Sequence, residues 1–380
     1  MNIIHHEIKK IIYTPALIGF VLCCLGLNIA LAISLRCSYA DYIAAVSHRT
    51  GFVIGAEFDE RAANLEDSVY AHWFRRQTEG MSDVFAGYTT DYIAHAYIAG
   101  QGLTGVVADL MQRKYERLQC AVDDLYASGA GMTLYFAGLT FDRHTQLFRA
   151  MMGVLLWQGI ILATLIALLS LGYEYHAKTE YVVYATKKGR GTTHAKLVAS
   201  LTASVVVYII LVAVSLGVYL TLNPFGGTWK SSVSSGFNYI PDLLAGGMRP
   251  FITWHGFTIG GYLLASIGIS FVLVLCFALT GYIAGLLTRN TYIGFFVVAL
   301  INYSIFTLNP GRFFGMNFIP TYLFTATPVW IALDQGWWFT DGGTSHLLPH
   351  FETFGVLASL ALLVILKDLS WRQFARRNLT

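Results

Sequence analysis

Residues 174–196 read EYHAKTEYVVYATKKGRGTTHAK and lie between two long apolar runs. Glu174 and Lys178 stand four apart in the favourable acid-before-base order, so the helix of the preceding run is expected to continue past the apolar stretch for a turn or more. Tyr181 to Ala185 form a short, half-apolar piece suited to lying across a surface. Lys187, Lys188 and Arg190 follow, with Gly189 and Gly191 interrupting the helix, and Thr192 or Thr193 is placed to cap the next one. The stretch thus predicts a short, rigid helix running sideways between two membrane spans. An ordinary basic loop that only fixes topology is the other reading of the same residues.

Composition bounds what surrounds it. With 55% hydrophobic and 12% charged residues and a mean hydropathy of +0.55, the chain is expected to be an all-α polytopic membrane protein. No GxxxxGK[ST] stretch and no dinucleotide signature occurs, so any ATP used must be bound by another chain. Nothing points to nucleic acid, and no cofactor is expected on this chain. The eleven His are scattered, with His5–His6 and His346–His350 the only close sets, and no metal site is expected.

Outward from the central stretch, residues 1–14 place Ile4, Ile8, Ile11 and Ile12 on one face, as in an amphipathic elbow helix lying in the headgroup layer. Thr14 and Pro15 read as cap and first residue of span 1, residues 15–35. A cleaved signal peptide is disfavoured by the length of the apolar core. Residues 36–149 hold fourteen acids against ten bases and predict a helical domain of three or four helices inserted between spans 1 and 2. Its acidity suits a solvated face or capture of a cationic substrate. Residues 150–380 carry the rest. Span 2 is expected over about 151–172, span 3 over 197–222, span 4 over 257–287, span 5 over 292–308 and span 6 over 354–366. The fourth is longer than a bilayer needs, and the fifth and sixth are short. Between those two, residues 309–350 are apolar but broken by Pro320 and Pro328, which predicts an outer re-entrant hairpin. Trp330, Trp337 and Trp338 are placed in the outer interface.

Placing the N-terminus inside puts Lys9, Lys10, Lys178, Lys187, Lys188, Arg190, Lys196, Arg289, Lys367, Arg372, Arg376 and Arg377 on the cytoplasmic side. Only Lys230, Arg249 and Arg312 fall in the shorter outer loops. The asymmetry follows the positive-inside rule, makes both termini cytoplasmic and makes the 36–149 insert extracellular.

The spans carry only mild polar groups, among them Asn28, Gln158, Ser266, Ser270, Asn302 and Ser304, which argues against a proton- or carboxylate-driven transporter. Gln158 and Asn302 suit either a polar translocation path or hydrogen bonds between helices. Gly256–Gly260 and Gly281–Gly285 are GxxxG pairs that permit close helix packing, within this chain or between two copies. Of Cys23, Cys24, Cys37, Cys120 and Cys276, only Cys37 and Cys120 fall outside. A disulfide between them would close a loop of roughly eighty residues and contribute about 3–4 kcal/mol; Cys120 as an apolar residue on the core face of its helix is the alternative.

The central stretch also resembles the coupling segment of the permease subunits of bacterial type-2 ABC exporters, closest to the branch with a Lys-Gly-Arg turn. Glu174, Lys178, Glu180, Thr186, Lys187, Lys188, Gly189, Arg190 and Lys196 carry the likeness. The segment departs from the family pattern in having Lys178 to Glu180 where Gly-Thr usually follows the acid. The resemblance implies six spans and a coupling helix that docks on a separate ATPase through Glu174, Lys178, Glu180, Tyr181, Tyr184, Lys187 and Arg190. It also implies a second permease subunit, identical or homologous, with ATP and Mg held in the partner ATPase. The expected cargo is a peptide or amphiphile leaving across the plasma membrane. Sodium or small-drug efflux, or a non-transporting receptor or assembly protein acting through its outer domain, are the alternatives.

Overall fold

The computed structural model describes residues 3–134, 143–185, 189, 191–239, 251–308 and 310–376. The regular structure among these residues is helical, with a few isolated β-bridges. Helix α1 (Ile3–Ile12) turns directly into α2 (Pro15–Ser34). Pro15 takes the first helical position as expected, but Thr14 makes no side-chain cap. Its Oγ1 instead donates back to the carbonyl of Lys10 at 3.0 Å, tying the two helices at the bend. Helix α2 is apolar all round and buries only Leu17, Cys24, Asn28 and Ala32. Leu22, Leu27 and Ile33 are about 60% exposed, as 62, 61 and 59%. A helix with apolar side chains turned outward on every side is stable where the surroundings are themselves apolar.

A π-helical turn, Thr145–Met151, leads into α8 (Met152–His176), which is buried over most of its length. Around it pack α10 (Thr192–Leu222), α11 (Ile259–Thr288) and α12 (Thr291–Thr307), while α16 (Phe351–Arg376) lies on α11. Among the described residues five helices are long and apolar enough to cross a membrane; α12, with 17 residues, is shorter. The chain is therefore a multi-pass, membrane-embedded helical protein. At 1.5 Å per residue α12 spans about 26 Å against an apolar slab of about 30 Å. Its start is fixed by Asn290, whose Oδ1 accepts from the backbone of Tyr292 and Ile293 at 2.9 and 3.1 Å.

Close approach of α8 and α11 depends on one of the two GxxxG pairs. A Cβ on Gly281 would lie 2.7 Å from the carbonyl oxygen of Thr164, and one on Gly285 would lie 2.9 Å from Leu171. Gly256 has nothing within 4 Å. The expected sixth span, 354–366, proves far too short. Helix α16 runs on through Lys367, Asp368 and Arg372 because its far end is held: Trp371 donates to Thr193 at 3.1 Å, and Phe374 is buried beside Leu197 and Tyr282.

The stretch after α12 is a chain of short helices, α13 (Pro310–Phe314), α14 (Ile319–Thr325) and α15 (Pro328–Leu333), each with a proline in its first turn. Helix α15 packs on both α12 and α16, and Trp330 donates to the carbonyl of Ile305 at 3.1 Å. This chain of short helices thus packs against the end of the short α12. Trp338 departs from expectation: it is fully buried and donates to Ile331 at 2.9 Å, so it is a core residue and not an interfacial one.

The insert contains five α-helices among the described residues, more than the three or four predicted: α3 (Ser38–Thr50), α4 (Ala56–Ala63), α5 (Val69–Thr78), α6 (Asp91–Gln101) and α7 (Gly105–Ala127). Its apolar faces divide between two cores. Ile43, Val46, Phe58 and Phe74 join the main core of the bundle. Met111, Tyr115 and Leu118 pack instead with Ile252, Trp254, Tyr322 and Leu347 from later connections. The second core is pinned by Lys114, a buried cation whose Nζ donates to the carbonyls of Asp341, Gly343 and His346 at 3.1, 2.6 and 2.9 Å. Tyr115 adds a bond to Asp341 Oδ2 at 2.5 Å. The insert is thus built onto the connections at its end of the bundle, not suspended from span 1 alone.

At that end His144 sits among the rings of Phe148, Phe251 and Tyr262 at 4.8, 4.3 and 6.0 Å. Burial, with the charge of Arg149, lowers its pKa to about 3. An unfolded His titrates near 6.5. Between these values the unfolded chain takes up a proton that the folded chain refuses, so this residue's contribution is complete above about pH 6.5 and falls as pH drops. Thermal stability should decline on acidification from pH 7 to 5, by up to about 1.4 kcal/mol per pH unit from this group. The His144→Gln variant should show a flatter profile in melting scans across that range. An unchanged slope would remove His144 as the cause.

Candidate functional site at the α1 end of the bundle

The segment that opened the sequence reading is built at the opposite end from the insert. Helix α8 ends in a Schellman turn: Thr179 N–H donates to the carbonyl of Glu174 at 2.9 Å and Lys178 N–H to that of Tyr175 at 3.3 Å. Lys178 takes the left-handed conformation, with φ 53°. This is the place where glycine is usual, and here a lysine takes the strained conformation and makes the turn. The chain then enters the six-residue helix α9 (Glu180–Ala185) and, after residues outside the description, α10.

Four charges meet beneath this turn. Lys196, on α10 and 1% exposed, donates to both oxygens of Glu174 at 2.7 Å, to Glu7 Oε2 at 3.1 Å and to the carbonyl of Ser170 at 2.7 Å. Lys10 completes the cluster, 3.1 Å from Glu7 and 3.3 Å from Glu174, with its ammonium 4.3 Å above the ring of Tyr173. Burial opposes the charge on Lys10, yet Glu7 and then Glu174 outweigh it and raise its pKa above the ordinary lysine value. Two acids and two bases leave the cluster neutral, with each lysine aimed at carboxylates. It joins α1, α8 and α10 into one unit, because an ion buried here would be costly without its partners.

The expected docking residues therefore divide. Glu174 is only 4% exposed and pairs with Lys10 and Lys196 inside the chain, so it does not stand on the outer surface where it was expected to dock. Tyr181 and Val182 stand out at 60 and 74% exposure, and Lys178 is exposed. Val183 turns inward against the cluster around Leu197, Tyr282 and Phe374. Glu180 is half-buried. Lys187, Arg190 and the side chain of Tyr184 lie outside the described residues.

Gln158 and Asn302 are not brought together. Gln158 and Asn28 exchange amide hydrogen bonds at 2.8 Å each way, and Asn28 also donates to Ser215 at 2.9 Å, linking α8, α2 and α10. Asn302 donates to the carbonyl of Val298 on its own helix at 2.8 Å. Gln158 thus bonds between helices, whereas Asn302 bonds back onto its own helix. Cys37 and Cys120 are both free. Cys37 opens α3, its backbone N–H bound to Asn223 at 3.2 Å, whereas Cys120 is exposed on α7 within the second core's helix. The expected bridge is not formed, because the two sit on halves of the insert that pack into different cores.

Sequence reading missed Glu7, Lys10 and Ser170 as members of the site. A usable signal existed: Glu7 and Lys10 are an i,i+3 pair on a helix otherwise shaped for a membrane surface. Compared with protein-family models, curated proteins and solved structures, the chain finds no match in any of the three.

Proposed function

We propose that the chain is the permease subunit of an ATP-driven exporter of the type-2 ABC kind, moving a peptide or amphiphile out of the cell. The observation that carries the reading is the short helix α9, which presents Tyr181 and Val182 outward from a turn locked to α1, α8 and α10 by buried charge. A helix held in this way transmits force: a partner pushing on Tyr181 moves the ends of α8 and α10 together, since the lock resists their separation. In this reading the α1 end is cytoplasmic, a separate ATPase docks on α9, and a second permease subunit completes the pathway. The ATPase holds ATP and Mg, and this chain performs no covalent chemistry.

Replacing Tyr181 and Val182 with Ala should reduce recovery of an ABC ATPase that copurifies with the wild-type chain by about tenfold or more in pull-downs from detergent, as truncation of exposed aromatic anchors does at interfaces. Membrane insertion should be unaffected. Full recovery of the ATPase with the double variant would count against docking at α9, and absence of any ATPase from the wild-type preparation would favour a receptor or assembly role for the insert.

A further inference from the structure

We propose that the cleft between the start of α8 and the turn that follows α15 binds a zwitterionic phospholipid, its phosphate toward Arg149 and Gln335 and its ammonium toward Asp334. This rests on membrane embedding alone and not on the transport reading. The cleft has a volume of about 620 Å³, within the roughly 300–1,000 Å³ of small-ligand sites. That is room for a head group and the first carbons of its chains.

The two halves of its wall differ chemically. Val154, Trp157 and Ile161 of α8 form an apolar half, and Val154 and Ile161 are partly exposed on the outer side of the bundle, where acyl chains lie. Arg149, Asp334 and Gln335 form the polar half. The Arg149 guanidinium lies over the ring of Trp337 at 4.7 Å. A Cβ on Gly336 would come within 2.7 Å of Arg149 Cγ, so the absence of a side chain there lets the arginine arm lie along the wall.

Gln335 points to a ligand. It is 4% exposed, lines the cleft, and its Nε2 has no hydrogen-bond partner among the described residues. A buried amide donor without an acceptor is unfavourable, and a phosphate oxygen beside Arg149 supplies one. Asp334 binds His346 through Oδ2 at 2.8 Å and is still 27% exposed, which leaves a carboxylate edge for an ammonium. A purely anionic head group would meet Arg149 but also face Asp334. A head group carrying both charges answers both residues, and Trp157 and Trp337 suit the boundary between head and chain.

The test uses the full chain in mild detergent and native mass spectrometry with three probes: phosphatidylethanolamine, phosphatidylglycerol with the same chains, and phosphoethanolamine as a head group without chains. The wild-type protein should retain phosphatidylethanolamine about tenfold better than phosphatidylglycerol and should not retain phosphoethanolamine. Gln335→Leu should lose about tenfold in phosphatidylethanolamine retention. Gln335→Glu, which keeps the shape and sets a negative charge against the phosphate, should lose at least as much and serves if the Leu variant aggregates. Equal retention of the two lipids by the wild type overturns the proposal. So does wild-type retention by the Gln335 variants, and so does binding of phosphoethanolamine as tight as that of the lipid.

Discussion

Lys196→Met should lower the thermal stability of the purified protein by an amount equivalent to about 3–5 kcal/mol, the usual consequence of leaving a buried ion without its partner. The substitution keeps an unbranched side chain of nearly the same length and leaves Glu7 and Glu174 facing each other with only Lys10 between them. The cluster moves from neutral to one net negative charge in a site where Glu174 is 4% exposed. Adding Glu174→Leu restores neutrality, because Glu7 and Lys10 still pair at 3.1 Å. The double variant should therefore recover half or more of the loss, since neutral apolar replacements of a buried pair are commonly tolerated. Detergent-solubilised samples heated in steps and scored for monodisperse protein give the comparison. If the single variant melts with the wild type, the cluster is not holding α1, α8 and α10 together.

The second large effect is expected at Gly281. A Val there sets its Cβ against Thr164 backbone atoms at 2.7 and 3.0 Å, and backbone cannot swing aside as the end of a side chain does. Helices α8 and α11 must separate, and the residues buried between them lose their contacts. Overpacking of this kind costs about 1–3 kcal/mol and more where backbone has to move. Gly268→Ala is the matched control on the same helix, with nothing within 4 Å of the added carbon; it should be neutral or stabilise by up to about 1 kcal/mol. The same heating assay reads both. Equal behaviour of the two variants would mean that α8 and α11 are not packed through Gly281.

The apolar helices were legible in the sequence because a run of some twenty apolar residues admits few other structures, and α12 was legible as the shorter apolar run 292–308. The length of α16 was not. Charged residues from Lys367 onward read as the end of a span, and only the tertiary bonds of Trp371 and Phe374 keep the helix going. The insert read as helical but gave no sign of what covers its helices, and the covering residues come from connections far along the chain. The site was half legible. Tyr181 and Val182 stand outward on a short helix as the pattern suggests, but Glu174 was assigned outward as well. Its inward turn depends on Lys196, and Lys196 depends on Glu7, 189 positions away. No local pattern carries that information.

The ammonium of Lys114 imposes an order of assembly. Its carbonyl partners at Gly343 and His346 lie 229 and 232 residues further along. At a synthesis rate of about 5–20 residues per second, those acceptors leave the ribosome roughly ten to fifty seconds after the lysine does. Through that interval Tyr115 and Leu118 in the second half of the insert still lack the cover that Leu347 and Tyr322 later provide. The waiting half-domain is the stage of biogenesis most open to proteases and to pairing with the wrong surface, and its rescue comes only when the last fifth of the chain arrives.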